Sequence, residues 1–349
     1  MPLHPIPRSA LAIFAGCLIQ GTGMIESGFG AVWDGGTNGN GNAWITATNW
    51  VGDGLPPSGD NLVFDNRNGS PNADLSTPMG VGSSSTFGLI TFSDANGRLP
   101  STLNINANIT GFVARVITLN TGITLANTTT TVAFNANTNG ALSLSLGGNA
   151  TFTTSLSSQL TLATPISGNF GITKAGTGTL LLSSSSNSYT GTTTINGGTL
   201  RLGADDVLPN TNLVLNGGTL NTGGNSDTLG QLELSSTSTI DMTNVGALVF
   251  SDSSSLNDNW GGTLSIWNWE PGVTSMRFGT TSAGLTLGQL SQISVYEDGG
   301  TTLMGPASLS SNGFLIVVPE PGAVMAGLAL LGVIGWRERR HFLRVRGVA

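Results

Sequence analysis

The sequence predicts an all-β protein whose body is a solenoid, and three observations predict it. Gly numbers 51 while charged residues make up only 9%, which suits short strands and tight turns better than helices, since helices favour Ala, Leu, Glu and Lys. Apolar and polar residues alternate with period two in short runs along much of the chain. A turn-plus-strand unit, Asn-Gly-Gly-Thr-Leu, stands at Asn196–Leu200 and returns at Asn216–Leu220. Disordered chains combine low hydrophobicity with high charge; a mean hydropathy of +0.15 and regularly spaced apolar residues set this chain apart from them.

Residues 1–30 read as a signal peptide. Arg8 supplies the positive start and Ser9–Ile19 a short apolar core, too short for a comfortable membrane span. Gly28 and Gly30 offer a small-x-small site, with cleavage expected between Gly30 and Ala31. Cys17 follows Ala15-Gly16, which resembles the end of a lipobox. Phe14 is a poor residue there and little apolar chain precedes it, so the cysteine is read as part of a discarded leader.

Residues 31–98 form a Trp- and Gly-rich β module. Trp33, Trp44 and Trp50 are separated by Gly, Asn and Thr, a turn cluster follows at Pro56-Pro57-Ser58-Gly59-Asp60, and Leu62–Phe64 reads as a strand. The block resembles the N-terminal module of exported proteins that carry passenger-associated repeats. The tryptophans are expected to fill a small β-core, with sugar stacking as the rival role.

Residues 99–316 are the solenoid body. The alternations include Ile117–Leu119, Ile123–Leu125, Leu142–Leu146, Leu160–Leu162, Leu180–Leu182, Leu200–Leu202, Leu213–Leu215, Leu232–Leu234, Leu248–Phe250 and Leu285–Leu287. Leu falls on one face and Ser or Thr on the other, at a spacing commonly near that of the Asn-Gly-Gly-Thr-Leu repeat. Asn-Gly-Gly supplies the positive-φ turn and Thr-Leu begins the next strand. One such unit per coil lets each rung bury its Leu face against its neighbours. Trp267 and Trp269, two apart, are expected on one side of a strand near the end cap.

The stretch 174–203 carries Lys174, Gly176, Gly178, Leu180, Leu182, Asn187, Tyr189, Gly191, Thr193, Ile195, Gly198 and Leu200 in the pattern K-x-G-x-G-x-L-x-L…N-x-Y-x-G-x-T-x-I-x-x-G-x-L. It resembles the passenger-associated transport repeat of autotransporter-type proteins. That resemblance implies a right-handed parallel β-helix and an exported passenger.

Residues 317–349 form a tail in three parts: Val318-Pro319-Glu320-Pro321, the uncharged run Gly322–Trp336, and Arg337, Arg339, Arg340, Arg344 and Arg346. As a helix the run spans roughly 22 Å, and with flanking residues and snorkelling arginines it can cross a bilayer, the arginines staying cytoplasmic. The tail resembles the PEP-CTERM sorting signal. The resemblance implies recognition by an exosortase-type membrane protease that cuts near Val318–Pro321, after entry through the Sec translocon and transient residence in the inner membrane.

Outside the two terminal segments the body holds six basic and sixteen acidic residues. An acidic body disfavours nucleic-acid binding, which rests on cation–phosphate contacts. His4 and His341 are the two histidines and Cys17 the one cysteine, all inside the terminal segments. Their loss on processing removes Ser–His and Cys–His nucleophile pairs and the commonest zinc ligands. Asp205-Asp206 and Glu297-Asp298 are the close acidic pairs, and adjacent strand residues point to opposite faces, unlike the facing carboxylates of a glycosidase. The stretch Gly223–Asp227 resembles a single calcium-binding nonapeptide, which is weak without repetition. The expectation is therefore a non-enzymatic surface or extracellular-matrix protein, structural or adhesive, with no catalytic, cofactor or metal site and extracellular polysaccharide as a partner. The alternative is a carbohydrate-binding or carbohydrate-active β-helix.

Overall fold

The computed structural model describes residues 31–33, 55–64, 79–81, 84–93, 99, 101–107, 114–126, 129–135, 142–155, 157–244, 246–256 and 260–317. The signal segment with Gly30, the expected tail helix, Val318–Pro321, the terminal arginines, and Trp44 and Trp50 lie outside the described residues. Among the described residues no helix is long and apolar enough to cross a membrane.

Nearly all regular structure is β. An eleven-stranded sheet runs from Ala31–Trp33 to Leu232–Ser236, and a twelve-stranded sheet from Met79–Val81 to Leu315–Val317. A three-stranded sheet joins Asp227–Leu229, Ala247–Phe250 and Ser275–Phe278. The chain alternates between the two large sheets. Ile172–Ala175 lies in the first, Thr179–Leu182 in the second, Thr193–Ile195 in the first again and Thr199–Leu202 in the second. Each return places a strand parallel to its predecessor, the arrangement of a parallel β-solenoid. In the first sheet Leu62–Phe64 pairs with Ser85–Ser93, which pairs with Arg115–Ala126.

Period-two alternation decides which side chains go inside. In the second sheet Leu103, Val132, Leu160, Leu180, Leu200, Leu220, Ile240, Ile266 and Val295 stack as one inward column, each in register with the next. All are fully buried. Burying a Leu or Ile side chain contributes roughly 1.5–3 kcal/mol, so a column of nine is a principal source of stability. Rings stack the same way: Phe64 lies on Phe92 at 4.9 Å and Phe250 on Phe278 at 5.1 Å between centroids, within the favourable range for offset pairs.

Coil length varies. In the central coils Thr179 pairs with Thr199, Thr199 with Thr219 and Thr219 with Thr239, the spacing that the repeat implies. Earlier coils are longer: Ser155 bonds to Leu125, thirty residues back. The strand Arg115–Ala126 is continuous where the sequence shows two alternations. Its first half pairs with Leu142–Leu146 and its second with Ala150–Thr154, so it turns a corner of the coil at Gly122.

Two expectations are corrected near the C-terminal end. Leu285-Thr286-Leu287 is not a strand. Thr286 caps the helix Leu287–Ser291, and its side chain and that of Gln289 exchange bonds with each other's backbone, a capping box that overrides the alternation. Trp267 and Trp269 do not share a side either. The strand ends at Trp267, and Asn268 takes a positive φ of 56°. Trp267 is left half-buried on the outside, while Trp269 turns inward and is buried.

The C-terminal end closes itself, as a solenoid requires if its last rung is not to offer unpaired backbone. Ile293–Tyr296 is the last parallel strand; Leu303–Leu309 and Leu315–Val317 follow as antiparallel strands. The buried Gln289 amide donates to the carbonyls of Ser253 and Leu256, tying the helix to the preceding coil.

Candidate functional site

The part of the solenoid with the most specific side-chain chemistry is the coil that begins at Ile172. Lys174 occupies an inward position, in register between Phe152 and Ile195, where its neighbours in the column are apolar. Its side chain is buried. The ammonium donates to the carbonyls of Ala175, Gly176 and Gly197 at 2.7, 2.9 and 3.1 Å. Three N–H groups meet three carbonyls, and the last belongs to the next coil. Burial pulls its pKa down to about 8, so at neutral pH it remains chiefly the ammonium. Gly198, with φ of 60°, passes so close that a Cβ there would fall on Gly176 O and Gly178 O.

On the third side of the same coil Asn187 spans three coils. Its Oδ1 accepts from Ile166 N at 2.8 Å, and its Nδ2 donates to Val207 O at 2.7 Å. Tyr189 is buried and its hydroxyl pairs with Thr193 Oγ1 at 2.7 Å; burial pushes the phenol above its ordinary range. Gly191 donates to Phe170 O, and a Cβ at Gly191 would fall on backbone atoms of Phe170 and Gly171. Backbone cannot step aside as a side chain can, so Gly191→Ala should destabilise the body by about 1–3 kcal/mol, read as a lower denaturant midpoint. An unchanged midpoint would show that the two coils have room to separate there.

Lys174 and Asn187 thus bond to neighbouring coils, Gly191 and Gly198 fit closely against them, and Thr193 pairs with Ile172 and Leu213 while holding the buried Tyr189 hydroxyl. Residues 172–202 match the family model of the passenger-associated transport repeat. The matched stretch therefore covers one solenoid coil and the first two strands of the next, since Ile172 pairs with Thr193 and Thr179 with Thr199, together with the residues that fasten the two. A repeat of this autotransporter-like kind is consistent with an exported surface protein. No curated protein and no solved structure matches the chain.

A second buried ionisable group lies one coil beyond the transport repeat. Asp227 shares the inward parity of Leu229 in the strand Asp227–Leu229. Its Oδ2 accepts from Leu208 N at 2.9 Å, and its buried Oδ1 has no hydrogen-bond partner among the described residues. Burial, with a smaller contribution from the charge of Asp206, pushes the carboxyl up to about 7. The sequence signal for both groups is the same: Lys174 has the parity of Ile172, and Asp227 that of Leu229. Parity alone states that they point inward, not what they meet there.

Both acidic pairs lie outside the strands, Asp205-Asp206 in a turn and Glu297-Asp298 in a bend. Asp205 accepts from Ser226 N, and Asp298 is held well below the usual carboxylate range by its bonds from Thr301 and Thr302. The turn at Asp298 brings Gly300 against the Trp267 indole. Trp260 and Trp269 are buried among the core side chains. Among the described residues no three His, Cys, Asp or Glu side chains come together as a metal site. Ala31 opens the first described strand, its N–H bonded to Asn61 O at 2.8 Å.

One concave apolar feature lies at the C-terminal cap. A slot of about 480 Å³ is lined by Trp269, Pro271, Met304, Leu315, Ile316 and Val317, with small residues of 272–275 completing it. It lies beside the strands Ser275–Phe278 and Leu315–Val317, which supply Ser275 and Leu315–Val317 to its wall. The two chains meet at Phe278 N to Gly313 O and at the Arg277–Phe314 bridge.

Proposed function

We propose that this chain is an exported, non-enzymatic structural or adhesive protein of the cell surface or extracellular matrix. Its C-terminal PEP-CTERM-like tail sorts it. It enters through the Sec translocon on residues 1–30, pauses in the inner membrane on Gly322–Trp336, and is cut near Val318–Pro321 by an exosortase-type protease. The observation that carries the reading is the transport repeat set in a parallel solenoid capped at its C-terminal end. A closed coil stack with an outward face of Ser and Thr suits a hydrated matrix.

Mass spectrometry of the exported protein should give an N-terminus at Ala31 and a C-terminus within Val318–Pro321. Glu320→Ala should keep the chain in the membrane fraction. Intact chain ending in Ala349 in the medium, or normal release of the Glu320 variant, would remove the sorting half of this reading.

A further inference from the structure

We propose that the apolar slot at the C-terminal cap is a lipid-contacting surface, which seats the cap on a neutral bilayer while the tail is anchored. The inference rests on the anchor reading of Gly322–Trp336 given above and adds a surface on the folded body to it. Exposed large apolar side chains concentrate at this end. Of the seven among the described residues, Val273, Leu287, Leu303, Phe314 and Ile316 all belong to the cap region, against Leu55 and Phe170 elsewhere. Ile316 lines the slot, and Val273 stands between the lining residues Gly272 and Thr274. Clustered exposed apolar surface marks a contact with another apolar phase more often than chance scatter does.

The place where the chain leaves decides the occupant. Val317 is both a wall of the slot and the last described residue, and only Val318–Pro321 separate it from the uncharged run at Gly322. Fully extended, that link reaches at most roughly 17 Å. The headgroup layer on each side of a bilayer is only about 5–8 Å thick. With the run in the membrane, the rim of the slot is held close to the interface, where an apolar wall gains by contact with acyl chains and glycerol. Charge favours neutral lipid. Glu270 is exposed beside slot residue Pro271, and the Arg277 guanidinium is engaged over the Phe314 ring at 5.8 Å. The consequence is positional: a seated cap holds Val318–Pro321 at fixed depth, where a membrane protease reads it.

The test uses the full chain in phosphatidylcholine nanodiscs. Cys17→Ser removes the one cysteine, and an environment-sensitive fluorophore is placed by Ile316→Cys on the slot, Ala329→Cys in the tail, or Ser186→Cys on an exposed bend several coils away. Quenching by spin-labelled lipid is expected to be several-fold stronger at 316 and at 329 than at 186, and weaker at 316 when phosphatidylglycerol replaces part of the neutral lipid. Strong quenching at 329 with 316 no better than 186 overturns the slot proposal and leaves the anchor standing. No quenching at 329 or 316 overturns both. Quenching at 316 alone keeps the lipid-contacting slot and rejects the anchor.

Discussion

Replacing Lys174 with alanine should cost the body about 3–5 kcal/mol. The variant removes a buried side chain and, with it, the donor for the carbonyls of Ala175, Gly176 and Gly197. Leaving a buried acceptor without its donor costs about 1–3 kcal/mol, and the emptied stem adds a cavity cost. Lys174→Met separates the two contributions. It refills the stem and should recover the packing share, leaving the carbonyls unmet. Both variants are read by equilibrium denaturation of the body. A loss below about 1 kcal/mol for Lys174→Ala would mean that the ammonium fills space without fastening Gly197 of the next coil. The effect should also be local. Proteolysis of the variant is expected to begin near Lys174 and Gly197, because the two coils lose a side-chain bond between them while the leucine columns elsewhere are untouched.

Asp227→Asn should stabilise the body at pH 8 by about 2–4 kcal/mol and have little effect at pH 4. The sign follows from the two pKa values. The folded chain holds the Asp227 proton up to about pH 7, whereas an unperturbed carboxyl releases it near 3.8. Between these values the folded state binds more protons than the unfolded one. Stability is therefore fully present below about pH 4 and falls as pH rises through 7, where a charge must be kept inside the stack beside a partnerless Oδ1. Asparagine has no such charge and still offers an oxygen to Leu208 N. Melting temperatures of the two proteins should converge in acid and separate in mild alkali. Parallel curves from pH 4 to 8 would show that water reaches the carboxyl.

Both effects belong to groups whose direction is legible in the sequence and whose surroundings are not. Much of the strand pattern is legible. The alternations at Leu180–Leu182, Leu200–Leu202 and Leu213–Leu215 are strands with Leu inside, because alternation depends only on the pleat of each strand. The Asn-Gly-Gly-Thr-Leu turns are legible for the same reason, since Gly198 and Gly217 take positive φ locally. Leu285–Leu287 is misread from three residues, although Gln289, three beyond Thr286, carries the capping-box signal. Trp267 and Trp269 are misread because a single left-handed residue, Asn268, reverses the parity that a strand would keep.

Local pattern along the chain is enough to show that the body is β-rich, that its leucines point inward, and that one stretch has the pattern of a transport repeat. All three are properties of residues close together along the chain. The folded coils add that Lys174 meets a carbonyl of the next coil, that Asn187 ties Ile166 to Val207, that Asp227 is enclosed, and that antiparallel strands close the end beside an apolar slot. Those contacts join residues about a coil or more apart, or elements that turn back on the stack. They depend on how each coil's length sets the register of the next, which no local pattern states.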